Sequence, residues 1–170
     1  MSTIKETLLR AMEAYFKGDT NRIDHAHKVT GYAEELLVQE GGDYPIVIGA
    51  AVLHDIGIHQ AEKKYGSTSG HYQEREGPPI ARRILRKLGF AEQQTEEICQ
   101  IIAHHHSPGK INTPNFRILY DADWLVNLRD EYDIRDSSKL SSIIDKVFLT
   151  QSGKALAHDI YLSESSQSGS

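Results

Sequence analysis

The sequence predicts an all-α protein, and three observations carry that reading. Apolar residues recur at helical spacing along nearly the whole chain. Strand-type alternation is almost absent, and the breaks fall where Gly, Pro or a small polar residue suits a helix end. A compact bundle of about seven to nine helices follows from the number of such segments.

Taken in order, Ile4, Leu8, Ala11 and Tyr15 form one stripe of a first helix. Gly18-Asp19-Thr20-Asn21 is a turn with N-cap chemistry. A second helix runs over 22–40 on Ile23, Val29, Tyr32, Ala33, Leu36 and Leu37, and Gly41-Gly42-Asp43 stops it. Pro45 suits the first turn of a third helix, whose run Ile46 to Leu53 is apolar all round and therefore buried. The stretch 59–77 is polar, carries Gly66, Gly70 and Gly77, and reads as a loop. Pro78-Pro79 opens the next helix, with Ile80, Ile84, Leu85 and Leu88 inward and Gly89 at its end. Another spans 91–105 and is broken by Ser107-Pro108-Gly109. Pro114 starts a helix through Leu119, Leu125 and Leu128, Ser137 or Ser138 caps one reaching Thr150, and a last helix covers 153–162. The expected organisation is a single domain over 1–162, with a flexible polar tail at 163–170.

Composition narrows the function. The net charge of −5 argues against a nucleic-acid partner bound through a basic surface. Cys99 is the only cysteine, so no internal disulfide forms, and it reads as a buried apolar filler. No segment approaches the roughly 18 apolar residues of a membrane span, and the start lacks a signal peptide, so a cytoplasmic location is expected.

The chemistry concentrates in histidines and aspartates at the ends of apolar helices. His54-Asp55 closes the buried third helix, where a charge needs a partner or a metal. His25 lies in line with the apolar face of the second helix, whereas His27, two residues on, faces elsewhere. His104-His105-His106 ends a helix, and Asp123 shares a stripe with Leu119 and Val126, which sets it inward ahead of Asp121. A nucleophile elbow is missing, because Thr68 stands at the centre of Gly66-Ser67-Thr68-Ser69-Gly70 with no strand before it, and no phosphate-binding Walker loop is present.

The order His25, His54-Asp55, Asp123 resembles the signature of the HD-domain superfamily of metal-dependent phosphohydrolases. His25-Ala26-His27-Lys28-Val29, Leu53-His54-Asp55-Ile56-Gly57 and Ala122-Asp123 resemble the local elements of that family over about residues 20–130. The resemblance implies a compact all-α HD-type bundle and a metal held by His25, His54, Asp55 and Asp123. Binuclear members add a middle histidine and a His-His pair. The pair falls on His104-His105, but Gln73 stands at the middle position and His71 is two residues early, so a mononuclear site is expected.

The expected activity is hydrolysis of a phosphate ester of a small molecule, a nucleotide, as a phosphomonoesterase or phosphodiesterase. Mixed nitrogen and oxygen ligands suit Mn, Fe, Co, Ni or Zn. Asp55, Glu74 and Glu76 are the expected catalytic carboxylates, with Glu74 or Glu76 acting on the water. His104, His105, Lys110 and Arg117 are expected to meet the phosphate, and a homodimer is allowed. The branch acting on cyclic di-GMP is disfavoured, since Ser107-Pro108-Gly109 follows the histidines. The rival readings are a catalytically silent metal- and nucleotide-binding module and a di-iron oxygenase on the same scaffold.

Overall fold

The computed structural model describes residues 2–162, so the polar tail at 163–170 lies outside the described residues. Among them the chain is helical, with no strand. The elements are α1 (Ile4–Phe16), α2 (Thr20–Glu40), α3 (Tyr44–Leu53), α4 (Ile58–Tyr65), α5 (Gly70–Lys87), α6 (Glu92–His104), α7 (Pro114–Glu131), α8 (Ser137–Val147) and α9 (Gln151–Ala157), closed by a π-turn over His158–Leu162.

Helix α3 is the axis of the bundle. Every residue from Ile46 to Leu53 is buried, and α1, α2, α6 and α7 all pack on it. Asp43 caps it by accepting from the Ile46 N–H, with Pro45 in the first turn. Burying each of its Val, Ile and Leu side chains contributes about 1.5–3 kcal/mol. Helix α2 enters on the Asp19 cap and leaves at Gly41, whose φ of +70° suits glycine. Helices α2 and α7 pack on each other as well as on α3, and α5 lies on the α6 that flanks it.

The polar stretch 59–77 corrects the sequence expectation. Two helices replace the expected loop. Helix α4 buries only Ile58 and Ala61, and α5 begins at Gly70 rather than at Pro78. Gly66 ends α4 with φ +66°, as a C-cap after Lys63 and Lys64. Gly77 has a different use: it lies inside α5, where Gly57 comes so close that a Cβ on Gly57 would sit 2.5 Å from Gly77 N. Pro78 and Pro79 lie within α5 and interrupt its hydrogen-bond ladder instead of opening it.

Farther along, Asp136 caps α8 in place of Ser137 or Ser138, accepting from the N–H groups of Ser138 and Lys139. Helix α8 stops at Val147, and Thr150 becomes the cap of α9 through a bond from Gly153 N.

Candidate metal centre and its cleft

His54 follows the last turn of α3, where its ring is fully buried and Nδ1–H donates to Ala51 O at 2.8 Å. That bond fixes the ring so that Nε2 is the nitrogen presented to the cluster. Three more ligand atoms converge on it: His25 Nε2 from α2 at 3.2 Å, Asp55 Oδ2 at 3.3 Å and Asp123 Oδ1 from α7 at 3.3 Å. His25 Nε2 also lies 3.1 Å from Asp123 Oδ1 and 3.3 Å from Asp55 Oδ2. Carboxylates only accept. Four candidate ligand atoms thus crowd around His54 Nε2, and His25, His54 and Asp55 can bring theirs within 4.8 Å of one another, close enough for one divalent cation.

The electrostatics agree with that demand for positive charge. Burial pushes the His54 pKa down, but the carboxylates of Asp55 and Asp123 outweigh it and hold the imidazole well above its ordinary value. Burial pushes Asp55 up, and His54 and His105 more than reverse this, holding it well below the usual carboxylate range. Asp123 is likewise lowered: His54 and the hydrogen bond of His25 overcome burial. Bound metal displaces the protons that such a cluster otherwise gathers.

A second set adjoins the first. His105 Nδ1–H donates to Ile102 O at 2.6 Å, and its buried Nε2 has no hydrogen-bond partner, lying 3.5 Å from Asp55 Oδ1. Asp55, His105 and His106 can bring ligand atoms within 4.8 Å of one another. His106 is fixed by Gln73, whose Nε2 donates to Thr68 O at 2.6 Å and whose Oε1 accepts from His106 Nε2 at 3.0 Å. Burial, with His105 adding repulsion, lowers the His106 pKa to about 4.

Above the cluster lies a cleft of about 340 Å³, with Arg22, Gln73, Asn127, Asp130 and Glu131 on its walls. Arg22 is its only Lys or Arg and makes no ion pair among the described residues. Asn127 Nδ2 donates to Asp123 Oδ1 at 2.9 Å, which orients that carboxylate. An adjoining recess of about 200 Å³ is walled by Tyr120 and Trp124. A larger depression, about 520 Å³ beside Glu35, Val38 and Leu156, contains no histidine, so size does not mark the site.

The structure gathers His25, His54, Asp55 and Asp123, and sets His27 outside, bonded to Glu13. It does not bring Glu74 or Glu76 to them. Glu74 accepts from His106 N and Ser107 Oγ, and Glu76 accepts from Lys64 and Tyr65. The pair at the cluster is His105-His106 rather than His104-His105, because His104 turns away and donates to Gln100 O. His71 and Lys110 line a different depression, and Arg117 donates to Asn112. Asp121 accepts from Leu149 N, Thr150 N and Thr150 Oγ1, and burial pushes its pKa up to about 6. Arg22 and Asn127 escaped the sequence reading. Their positions, three before His25 and four after Asp123, put each on the ligand's own helix face, a signal that was available.

A family model described as HD domain matches residues 22–128, a span that contains His25, His54, Asp55 and Asp123. The chain belongs to the HD domain family. This HD domain is also similar to a solved structure described as a predicted HD superfamily hydrolase from an uncultured Thermotogales bacterium. The identity is 26% and the TM-score 0.67, over 94% of this chain and 87% of that one. Membership places this HD domain in a superfamily of metal-dependent hydrolases, and its His/Asp cluster is suited to a divalent ion. No helix among the described residues is long and apolar enough to cross a membrane.

Proposed function

We propose that this HD domain is a phosphohydrolase that cleaves a small phosphate ester, with a nucleotide as substrate. The observation that carries the reading is the convergence of His25, His54, Asp55 and Asp123 at 3.1–3.3 Å beneath a cleft whose only Lys or Arg is Arg22. The four residues would hold one of Mn, Fe, Co, Ni or Zn, the choice that mixed imidazole and carboxylate ligands favour. Such an ion supplies a water of lowered pKa and polarises a phosphoryl oxygen.

The chain's own groups do the rest. Arg22 attracts the phosphate and opposes the carboxylates around it. Asn127 keeps one Asp123 oxygen pointed at the cluster. Gln73 holds His106 on the cleft wall. Trp124 and Tyr120 give the organic part of the ester a flat apolar surface, which suits a base.

Phosphate release from a panel of nucleotides and sugar phosphates tests the proposal. Turnover by the metal-loaded protein, abolished in Asp55→Asn, is the expected result, and Arg22→Ala should raise KM. No release from any phosphate ester overturns it. Gln73, standing where binuclear relatives carry a histidine, favours the second reading of a silent binding module. That reading requires nucleotide to quench the single tryptophan, Trp124, without being consumed.

A further inference from the structure

Several residues that the cleft leaves unused come together at another place on the same helix pair. His71 and Arg75 stand one turn apart on α5, His104 ends α6, and Lys110 follows in the loop. With Glu74 and Ser107 they line a separate depression of about 290 Å³.

Its charge is unbalanced. Arg75 and Lys110 make no hydrogen bond or ion pair among the described residues. Glu74 is the only carboxylate on the wall, and it is already engaged. Its Oε1 accepts from Ser107 Oγ at 2.8 Å and its Oε2 from His106 N at 3.1 Å. His104 lines the depression from the end of α6, where its Nδ1–H donates to Gln100 O at 2.9 Å. In a chain of net charge −5, two unpaired cations and two imidazoles around one depression are a local reversal of sign. Arginine and lysine side chains with free N–H groups match the oxygens of a tetrahedral anion.

We propose that this depression is a second anion site, which takes a phosphate group and is separate from the metal cluster. Glu74 lines it and also accepts from the backbone N–H of His106, so the site adjoins the segment that delivers His105 and His106. The phosphate can belong to a free anion or to a further phosphate of the ester bound in the cleft.

Calorimetric titration of the metal-loaded protein with inorganic pyrophosphate tests the site directly and does not depend on turnover. Wild type should show two classes of binding, one at the cluster and one here. Arg75→Ala/Lys110→Ala should lose one class by at least tenfold and keep the other, with unchanged circular dichroism. Arg10→Ala, which removes a distant charge, should keep both. Equal binding by wild type and the double variant overturns the proposal, and so does an equal loss in Arg10→Ala. The source is then read from KM. A rise in the double variant for diphosphate but not monophosphate esters assigns the group to the substrate. Unchanged KM with lost pyrophosphate binding assigns it to a free anion.

Discussion

Asp121 and Asp123 lie two positions apart on α7, both buried, and serve different neighbours. Asp123 faces His25 and His54, whereas Asp121 receives the N–H groups of Leu149 and Thr150 and so ties the α8–α9 connection to α7. Both Asp121 oxygens accept from backbone N–H, so Asp121→Asn sets an amide N–H₂ against a donor whichever way it turns. Denaturant titration should show a loss of about 1–3 kcal/mol, with metal content by elemental analysis near wild type. Asp123→Asn should do the reverse, losing metal with less effect on the fold. Undiminished metal in Asp123→Asn would remove it from the ligand set. Of the four residues the structure gathers, His25 and Asp123 were legible because an apolar stripe fixes their helix register, and His54-Asp55 because they close a run that is apolar all round. Glu74 and Glu76 were expected at the water and lie elsewhere, because a stretch read as loop has no register. Once α5 starts at Gly70, its inward face is Gln73, Gly77, Ile80 and Ala81, and both glutamates fall off it.

At the scale of elements, α4 and α5 were hidden by their own composition. Helix α4 buries two residues, and α5 puts Gln73 and Gly77 where helical periodicity calls for apolar side chains. The glycines looked like loop punctuation, although Gly57 and Gly77 are there to let two backbones meet. A Cβ on Gly57 would lie 2.5 Å from Gly77 N and 2.9 Å from Gln73 O, neither of which can swing aside. Gly57→Ala should therefore destabilise by about 1–3 kcal/mol or more, and it should also shift Gln73 and reduce metal affinity. A Cβ on Gly31 of α2 would meet nothing within 4 Å. Gly31→Ala should stabilise by about 0.5–1 kcal/mol. The two midpoints, measured side by side, should move in opposite directions. A neutral Gly57→Ala would mean that the two backbones stand farther apart than this. Other helices were easier to read: α2 and α7 carry both caps and stripes, α3 a cap and an unbroken apolar run, and the all-α class follows from them.

At the scale of the whole molecule, the cluster joins segments far apart in the chain: His25 on α2, His54-Asp55 after α3 and Asp123 on α7. An ion bound there links three helices of the core and binds the folded state alone. At a hundredfold excess over Kd it should add about 2.7 kcal/mol to stability. A chelator should lower the Tm of wild type, and His54→Ala, already without the ion, should melt at one temperature with or without chelator. A chelator-sensitive Tm in His54→Ala would mean that metal acts elsewhere. What the sequence could not supply at this scale is which histidine of 104–106 enters the cluster. That depends on where α6 ends and on the bonds of His104 to Gln100 and His105 to Ile102, which are set by the last turn of the helix and not by its pattern.

The paired prolines of α5 have a consequence in time. Pro78 and Pro79 offer no amide proton, so the carbonyls of Glu74 and Arg75 have no donor four residues on. Two missing rungs in succession divide the helix into a first part, Gly70 to Gly77, and a second that carries Ile80, Ala81 and Leu85 into the core. The first part holds Gln73 and Glu74, and with them a wall of each pocket. Amide hydrogens before the prolines should exchange through brief local openings, while those from Ile80 to Leu85 wait for unfolding of the whole chain. Hydrogen-exchange mass spectrometry should resolve two rates within one helix, and Pro78→Ala/Pro79→Ala should merge them. Both pockets would then open and close on the faster of the two clocks, without disturbing the core beneath.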